Sequence, residues 1–347
     1  MSRQTLSSVP VSDPSGAASD AEMPSLRAAL DPTEAQRQFD ERMSHLAGDG
    51  GPLYLRAIRV VRHKPGRRCV IEYDLVAARP EEPPENFTLL GKVRARRFGK
   101  SGYRMLRSLW DAGFDAEAPD SISVPEPFGT ISKFRMWLQR KEPGRTATEL
   151  LVELGGVELV RRIAEAAHKI HRADVPAERR HTMADELRIL HKRLPEVACQ
   201  EPAWERRIER LLAACDRLGG SVPEPRACGV HRDFYADQVL VRGRRLVLLD
   251  FDLYCGGDPA LDVGNFLGHV TEQSLRTTGD YSALAYLERA MEERFVELSG
   301  EETRHAVRAY SALTLARHIH LSTLFPERRH LTGDLLALCE ERLETRC

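Results

Sequence analysis

Residues 230–262, VHRDFYADQVLVRGRRLVLLDFDLYCGGDPALD, decide the fold of this chain. Two short apolar runs flank a basic turn at residues 242–245, which predicts a small β-hairpin. Three polar side chains mark its margins, because Asp233 precedes the hairpin, Gln238 follows five residues later, and Asp250 ends the second apolar run. The stretch is therefore a β-like island that carries two carboxylates and one amide.

This set of side chains suits the transfer of a phosphoryl group to a hydroxyl. Such a transfer needs a carboxylate in line with the attacking hydroxyl, and Mg²⁺ held against the triphosphate by oxygen ligands. Asp233 suits the first role, while Asp250 offers the metal an anionic oxygen and Gln238 a neutral one. A single His-x-Asp is more often a turn with a capping acid, so the prediction depends on the joint pattern.

The chain on either side of the island predicts an α+β fold with two parts. Residues 53–78 alternate in polarity around a KPGRR turn, and FTLLGKV adds a third strand that ends at Lys92. A helix over residues 101–114 and two further short strands complete a strand-rich N-terminal lobe, whereas long amphipathic helices follow Gly144. We predict three segments, listed here in chain order: a disordered tail over residues 1–30, an N-lobe over 31–141, and a helical C-lobe over 142–347.

The stretches HRDFYADQVLV and LVLLDFDLYCGGDPALDVGNFL resemble the catalytic and metal-binding motifs of the aminoglycoside phosphotransferase family. Choline kinases and maltokinases share the pattern, and the protein-kinase catalytic loop has the same spacing from its Asp to its amide residue. The resemblance implies a two-lobed, protein-kinase-like fold that binds ATP and Mg²⁺. It also implies that Asp233 is the catalytic base, that His231 supports its loop, and that Asp250 and Gln238 bind the metal. Asp258 and Asp262 in GGDPALD would brace the metal-binding segment. Gln238 stands where the family usually has Asn.

In the first lobe, Lys92 matches the family lysine that contacts the nucleotide phosphates. The helix that follows, KSGYRMLRSLW, has no acid to pair with it, although Asp111, Asp115 and Glu117 come soon after. The segment QRKEPG resembles the hinge that binds adenine, which we assign to Gln139, Arg140, Lys141 and Glu142. Residues 54–110 hold 14 Lys or Arg against 5 Asp or Glu, a bias that favours a polyanion such as ATP over a merely solvated basic surface.

Four histidines outside the motif have plain structural interpretations. His168 and His171 lie three residues apart on one predicted helix, and without a third ligand we expect them to pack near the catalytic loop rather than bind a metal. His318, with Arg317 and His320, could contact an acceptor, but packing is the simpler interpretation. The sequence does not decide between these two roles.

The bulk properties exclude several partners. The formal net charge is -1, no apolar stretch reaches membrane-spanning length, and the seven cysteines show no C-x-x-C pair. We therefore expect a cytoplasmic protein without a nucleic-acid or membrane partner, whose oligomeric state stays open. The predicted function is an ATP-dependent phosphotransferase that acts on a hydroxyl of a sugar, an amino alcohol or an aminoglycoside-like molecule. The alternative is a nucleotide-binding pseudokinase with a regulatory role.

Overall fold

The computed structural model describes residues 9–43, 52–78, 83–95, 100–153 and 155–344. It divides into two compact units, Met1–Pro143 and Gly144–Cys347. The first unit is built around a β-sheet and the second mainly from helices. None of the helices in the described ranges is both long enough and apolar enough to cross a bilayer.

The first unit is a six-stranded sheet in the order β1-β2-β3-β4-β7-β6, with helices beside it. Its elements are β1 (Val11–Ser12), α1 (Ser25–Ala29), α2 (Pro32–Met43), β2 (Leu53–Lys64), β3 (Arg68–Ala77), β4 (Glu85–Arg94), α3 (Lys100–Asp111), β5 (Ile122–Ser123), β6 (Pro127–Ile131) and β7 (Met136–Arg140). Strands β2, β3, β4 and β7 pair antiparallel in succession, with Val70 opposite Lys92 and Lys92 opposite Trp137. Alternate side chains of these strands therefore form a buried face and a polar face.

The N-terminal segment covers the buried face of this sheet. Met23 and Leu26 are buried there with Phe39, whose ring meets the edge of Tyr73 at 5.1 Å. The Tyr73 hydroxyl donates to the Ala29 carbonyl, at 2.9 Å. The prediction of a disordered tail is therefore wrong for residues 9–30, because a few apolar side chains spaced among polar ones are enough to complete the core. Residues 1–8 lie outside the described residues.

The same segment holds the turn between β2 and β3. The Asp20 carboxylate accepts from the Gly66 amide at 2.8 Å and lies 2.9 Å from His63 Nε2. Gly66 has a φ of 63°, and a Cβ there would lie 2.5 Å from a carboxylate oxygen of Glu22. The left-handed backbone therefore favours glycine at this turn, whereas the Glu22 carboxylate is the end of a flexible side chain and could move aside.

The second unit consists of long helices around small β-ladders. Its elements are β8 (Arg145–Thr146), α4 (Ala147–Leu150), α5 (Gly156–Arg172), α6 (Met183–Gln200), α7 (Glu205–Gly220), β9 (Cys228–Val230), β10 (Val239–Arg242), β11 (Arg245–Leu248), β12 (Cys255–Gly257), α8 (Ala260–Thr278), α9 (Ala285–Ser299), α10 (Thr303–Thr323) and α11 (Thr332–Glu344). Strands β10 and β11 form the predicted hairpin, and β9 pairs antiparallel with β12.

Helices α8 and α10 form the centre of this unit. Gly264 of α8 lies so close to α10 that a Cβ on it would be 2.4 Å from the Tyr310 Cβ and 2.7 Å from the Val307 carbonyl oxygen. Helix α6 begins with a capping box between Thr182 and Asp185 and continues past Pro195 to Gln200, with Val197 buried beyond the proline.

Candidate active site

The predicted catalytic loop leaves β9 at His231 and is held by a buried carboxylate on α8. Asp262, which is fully buried, accepts from the His231 amide at 2.9 Å and from the Arg232 amide at 2.7 Å. Arg232 has a φ of 71°, a left-handed conformation that is unfavourable for a side chain with a Cβ. The two hydrogen bonds therefore hold a strained backbone immediately before Asp233.

The location of the two downstream acids corrects the sequence interpretation. We expected Asp258 and Asp262 to brace the metal-binding segment, but Asp262 braces the catalytic loop instead. Asp258 accepts from the Ala260 amide at 2.9 Å, so it caps the first turn of its own helix. His171 Nε2 lies 2.9 Å from the Asp262 carboxylate, which explains why α5 carries a histidine at this point.

Main-chain hydrogen bonds bring the predicted metal ligands together. The Leu249 amide donates to the Gln238 carbonyl at 2.8 Å, which places Gln238 beside the residue that precedes Asp250. His231 Nε2 lies 2.7 Å from the Leu249 carbonyl and so ties the catalytic loop to the same residue. Asp250 itself has a left-handed backbone, with a φ of 57°. The structure thus gathers His231, Gln238 and Asp250 at the margin of one hairpin.

The orientation of the Gln238 amide suits an oxygen ligand. Its nitrogen donates to the Tyr235 hydroxyl at 3.3 Å, which leaves the carbonyl oxygen as the group available to a cation. Mg²⁺ prefers carboxylate and amide oxygens, and it normally keeps several ligands from phosphates and water. Within the described residues there is no group of three or more His, Cys, Asp or Glu placed to hold a metal. An Asp and a Gln therefore fit a metal that a nucleotide helps to bind.

A second set of buried groups supports the loop and was missed by the sequence analysis. Asn265 of α8 donates to the Phe234 carbonyl at 2.9 Å, and its own carbonyl oxygen accepts from Arg317 of α10 at 2.5 Å. Arg317 also donates to Glu186 at 3.3 Å. Burial acts to raise the pKa of Glu186, but its hydrogen bond to His181 and the charge of Arg317 hold that pKa below the ordinary value. Arg317 is thus a structural residue rather than an acceptor contact. The GGDPALDVGNF stretch held the one available signal, an Asn one helical turn after Asp262.

Two histidines pack behind Tyr235, which is two residues from Asp233. The His269 ring stacks on Tyr235 with 4.5 Å between centroids, and His318 meets the edge of His269 at the same distance. Burial, and then the charge of Arg317, lowers the pKa of His318 to about 3. Burial, followed by His318 and then Arg317, lowers the pKa of His269 well below its usual value. Both rings are therefore neutral at physiological pH, and packing is the role that the structure gives His318. His320 Nε2 lies 3.0 Å from Glu196.

In the first unit, Lys92 lies on the polar face of the sheet. Its ammonium is 4.9 Å from the centre of the Trp137 ring on the neighbouring strand, a cation–π contact. From the sequence, a carboxylate that pairs with Lys92 was expected on or soon after the following helix. The acids of this face come instead from β3. Glu72 contacts both Arg59, at 3.0 Å, and Lys141, at 2.6 Å.

The segment assigned to adenine binding is already partly engaged in the sheet. Gln139 is buried on β7, the Arg140 amide donates to the Glu126 carbonyl, and the Lys141 amide donates to the Thr88 carbonyl. The Arg140 side chain also pairs with Glu126 at 3.0 Å. Amide donors for an adenine ring therefore cannot come from residues 140 and 141.

A basic cavity of about 260 Å³ lies at the turn between β2 and β3, lined by Lys64, Arg67, Arg68 and Arg94. The charge of Arg68, followed by those of Arg62 and Arg67, lowers the pKa of Lys64. Four cations without an acid among the lining residues form a site with affinity for an anion. Part of the excess of Lys and Arg over residues 54–110 therefore lies around this cavity in the first unit.

Comparison with known proteins decides the family. Residues 100–298 match the model of the phosphotransferase enzyme family APH, which is more than half of the chain. This chain belongs to that family. Family membership supports a small-molecule phosphotransferase and confirms the resemblance from which the site residues were assigned. No curated protein sequence matches the chain at a significant level.

Solved structures show the same kinase-like fold at low sequence identity. A choline/ethanolamine kinase family protein from Mesorhizobium loti is 16% identical, with a TM-score of 0.55 over 88% of this chain and 95% of that chain. A thermostable mutant of the aminoglycoside phosphotransferase APH(4)-Ia, in a ternary complex with AMP-PNP and hygromycin B, is 16% identical, with a TM-score of 0.56 over 90% and 98% of the two chains. The Plasmodium vivax ethanolamine kinase is 11% identical, with a TM-score of 0.52 over 85% and 83%. The predicted α+β, protein-kinase-like fold class is confirmed.

Proposed function

We propose that this family member is an ATP- and Mg²⁺-dependent kinase that transfers the γ-phosphate to a hydroxyl of a small molecule. The observation that carries the proposal is that hydrogen bonds bring His231, Gln238 and Asp250 to the margin of one hairpin, with Asp233 two residues after His231. The Leu249 amide and the His231 ring fix that arrangement, at 2.8 and 2.7 Å from their partners. The backbone before Asp233 is strained and is held by two hydrogen bonds to Asp262. Such strain is energetically unfavourable and occurs mainly at functional sites, which supports a chemical role for Asp233.

In the mechanism that we propose, Asp233 orients the acceptor hydroxyl and accepts its proton as the oxygen attacks phosphorus. Asp262 and Asn265 keep the loop in place through its backbone, so that Asp233 is set before the acceptor binds. Asp250 and Gln238 would hold Mg²⁺, which neutralises charge on the transferred phosphoryl group when it is bound. No covalent bond to the protein is required.

In the first unit, the proposed nucleotide contacts are Lys92 and the segment from Gln139 to Glu142. Lys92 lies on the polar face of the sheet, and the basic cavity at the turn offers further cations for the phosphates. The APH(4)-Ia structure was determined with AMP-PNP, and another family structure with ADP, which favours a purine nucleotide here as well.

For the acceptor, we propose a neutral hydroxyl compound such as a sugar or polyol ahead of a polycation. The groups packed behind Tyr235 are two neutral histidines, and the charges that act on them come from arginines. Glu272, the buried acid in this region, already contacts Arg276 at 3.0 Å and Arg328 at 3.8 Å. A polyamine would find little uncompensated negative charge behind Tyr235, because the carboxylates that act on Tyr235 itself are those of Asp233 and Asp250, which the proposed reaction uses, and of Asp237, which bonds to the Thr148 hydroxyl.

The test is acceptor-stimulated ADP release with a panel of sugars, polyols, amino alcohols and aminoglycosides, in Mg²⁺ and then in EDTA. Asp233→Asn is expected to lower turnover by about 10²- to 10⁴-fold, as expected for loss of a general base. Asp237→Asn is the matched control, since Asp237 is exposed in the same loop and bonds to the Thr148 hydroxyl. Stimulation by aminoglycosides alone would refute the acceptor class, and equal turnover by both variants would refute the role of Asp233.

A further inference from the structure

A cavity of about 250 Å³ lies in the second unit, away from the residues assigned to catalysis. Its walls come from the start of α6, the loop between α7 and β9, the end of β12, and α10. The lining side chains used below are Asp258, His181, Tyr310, Met183, Val222 and Pro225. Strand register separates this cavity from the catalytic loop, because Gly257 pairs with Cys228 whereas Cys255 pairs with Val230, the residue before His231. Asp258 and His231 therefore lie at opposite ends of the β9–β12 pair.

The carboxylate in this cavity is buried and half satisfied. Asp258 is 5% exposed, and its Oδ1 accepts from the Ala260 amide, but Oδ2 has no hydrogen bond among the residues that the structure describes. Burial raises the pKa of Asp258, although the hydrogen bond from the Ala260 amide, the charge of His171 and the Tyr310 hydroxyl, a weak donor to the same carboxylate, act to lower it. A buried carboxylate oxygen without a well-formed hydrogen bond is unfavourable, so a stronger donor from outside would be stabilising.

The other acids around the cavity are already engaged. Glu186 is 2.6 Å from His181 Nε2, Asp185 accepts from the Thr182 amide and hydroxyl, and Glu224 pairs with Arg180 at the exposed rim, at 3.3 Å. Among these acids, Asp258 is the buried one with an oxygen that lacks a well-formed hydrogen bond, whereas Glu224 is exposed to solvent at the rim. The wall opposite it is apolar, with Met183, Val222 and Pro225.

We propose that this cavity is a second small-molecule site, which binds a short organic amine with its ammonium on Asp258 and its carbon skeleton on the apolar wall. An ammonium is favoured over a hydroxyl because it supplies both the missing donor and a counter-charge in a buried place. The volume admits a fragment-sized molecule rather than an aminoglycoside.

The cavity is joined to the catalytic loop by continuous hydrogen bonds. His181 lines the cavity and bonds to Glu186, Glu186 accepts from Arg317, Arg317 donates to Asn265, and Asn265 donates to the Phe234 carbonyl. An occupant that moves His181 would thus act on the residue next to Asp233. This kinetic consequence rests on the proposed kinase activity, whereas binding of the amine does not.

The experiment compares isopentylamine, isopentanol and isovalerate, three probes that share a carbon skeleton and differ in the polar group. Binding to the full chain is measured by ligand-observed NMR for wild type, Asp258→Asn and Val222→Trp, with Asp216→Asn as a control acid on the exposed face of α7. We expect the amine to bind more tightly than the alcohol and the carboxylate not to bind. Asp258→Asn should lower the affinity for the amine by about tenfold or more, because a charge-assisted hydrogen bond is lost.

Val222→Trp keeps the carboxylate and fills the apolar part of the cavity, so it tests the site even if Asp258→Asn loosens α8. Asp233→Asn is measured in parallel, because an amine that binds as an acceptor would respond to that variant instead. Amine binding that is unchanged by both cavity variants, or that is lost only with Asp233→Asn, would overturn the proposal. Binding at the cavity without any change in wild-type turnover would remove the coupling to the loop.

Discussion

Replacement of Asp262 by Asn should separate the support of the catalytic loop from its chemistry. The carboxylate accepts from the amides of His231 and Arg232 and contacts His171, at 2.9, 2.7 and 2.9 Å, inside a fully buried site. Asn keeps the size but presents one NH₂ group, so at least one of the two backbone donors must face another donor. Each unsatisfied buried donor is unfavourable by about 1–3 kcal/mol, and loss of the charge weakens the remaining bonds.

We therefore expect Asp262→Asn to lower the free energy of unfolding by about 2–4 kcal/mol in urea titrations. Arg232 is then free to leave its left-handed conformation, and a displacement of about 1 Å at Asp233 would lower kcat by roughly 10²-fold, with less effect on the KM for ATP. Glu209→Gln, on the exposed face of α7, is the matched control and should change neither quantity. A variant that retains wild-type stability and kcat would refute the assignment of Asp262 as the anchor of the loop.

Three further predictions concern the second unit. Gly264→Ala should lower the free energy of unfolding by about 3 kcal/mol or more, because its Cβ would lie 2.4 Å from the Tyr310 Cβ. Gly220→Ala is the control, and it should be neutral or slightly stabilising because a Cβ there would have no neighbour within 4 Å. Equal effects of the two variants in urea titrations would contradict the close α8–α10 contact. His318 has a folded pKa of about 3, below its unfolded value, so the unfolded chain binds the extra proton and the free energy of unfolding falls as pH decreases from about 6.5 towards 3. Between pH 7 and 5, His318→Phe should therefore lose less stability than wild type, by up to about 2 kcal/mol. Parallel pH profiles of the two proteins would refute the buried neutral ring. The Thr182 hydroxyl and amide lower the pKa of Asp185 to about 2, so the contribution of Asp185 to stability is present above pH 4 and is lost as pH falls towards 2. Asp185→Ala should be less stable than wild type by about 1–2 kcal/mol at pH 7 and by less at pH 3. A stability difference between the two proteins that does not change with pH would contradict the capping box.

The hairpin of the motif region could be predicted because its two apolar runs and its basic turn are adjacent in the sequence. Strands β10 and β11 pair as expected, and the Leu249 amide places Gln238 beside the residue that precedes Asp250. Polarity alternation likewise located the strands of the first unit, since a period of two residues is specific to a half-buried strand.

The remaining features depend on partners far apart in the chain. Asn265 contacts Arg317 across 52 residues, and no local pattern marks either as a support of the loop. The N-terminal segment has a polar composition, yet the few apolar side chains within it, such as Leu26, complete the core of the sheet. Asp262 was assigned to the metal-binding segment rather than to the catalytic loop. The spacing in the sequence shows that an acid follows the metal-binding segment, but it does not show which backbone amides that acid contacts.

Direct detection of a phosphorylated acceptor is the measurement that tests the central claim most closely. The panel is incubated with ATP and Mg²⁺, and each acceptor is analysed by mass spectrometry for gain of one phosphoryl group, with wild type, Asp233→Asn and Asp250→Asn. The account predicts a phosphorylated hydroxyl compound with wild type in Mg²⁺, and none with either variant or in EDTA. ATP binding without any phosphorylated acceptor, or a product formed equally well by both variants, would contradict it and favour a nucleotide-binding regulator.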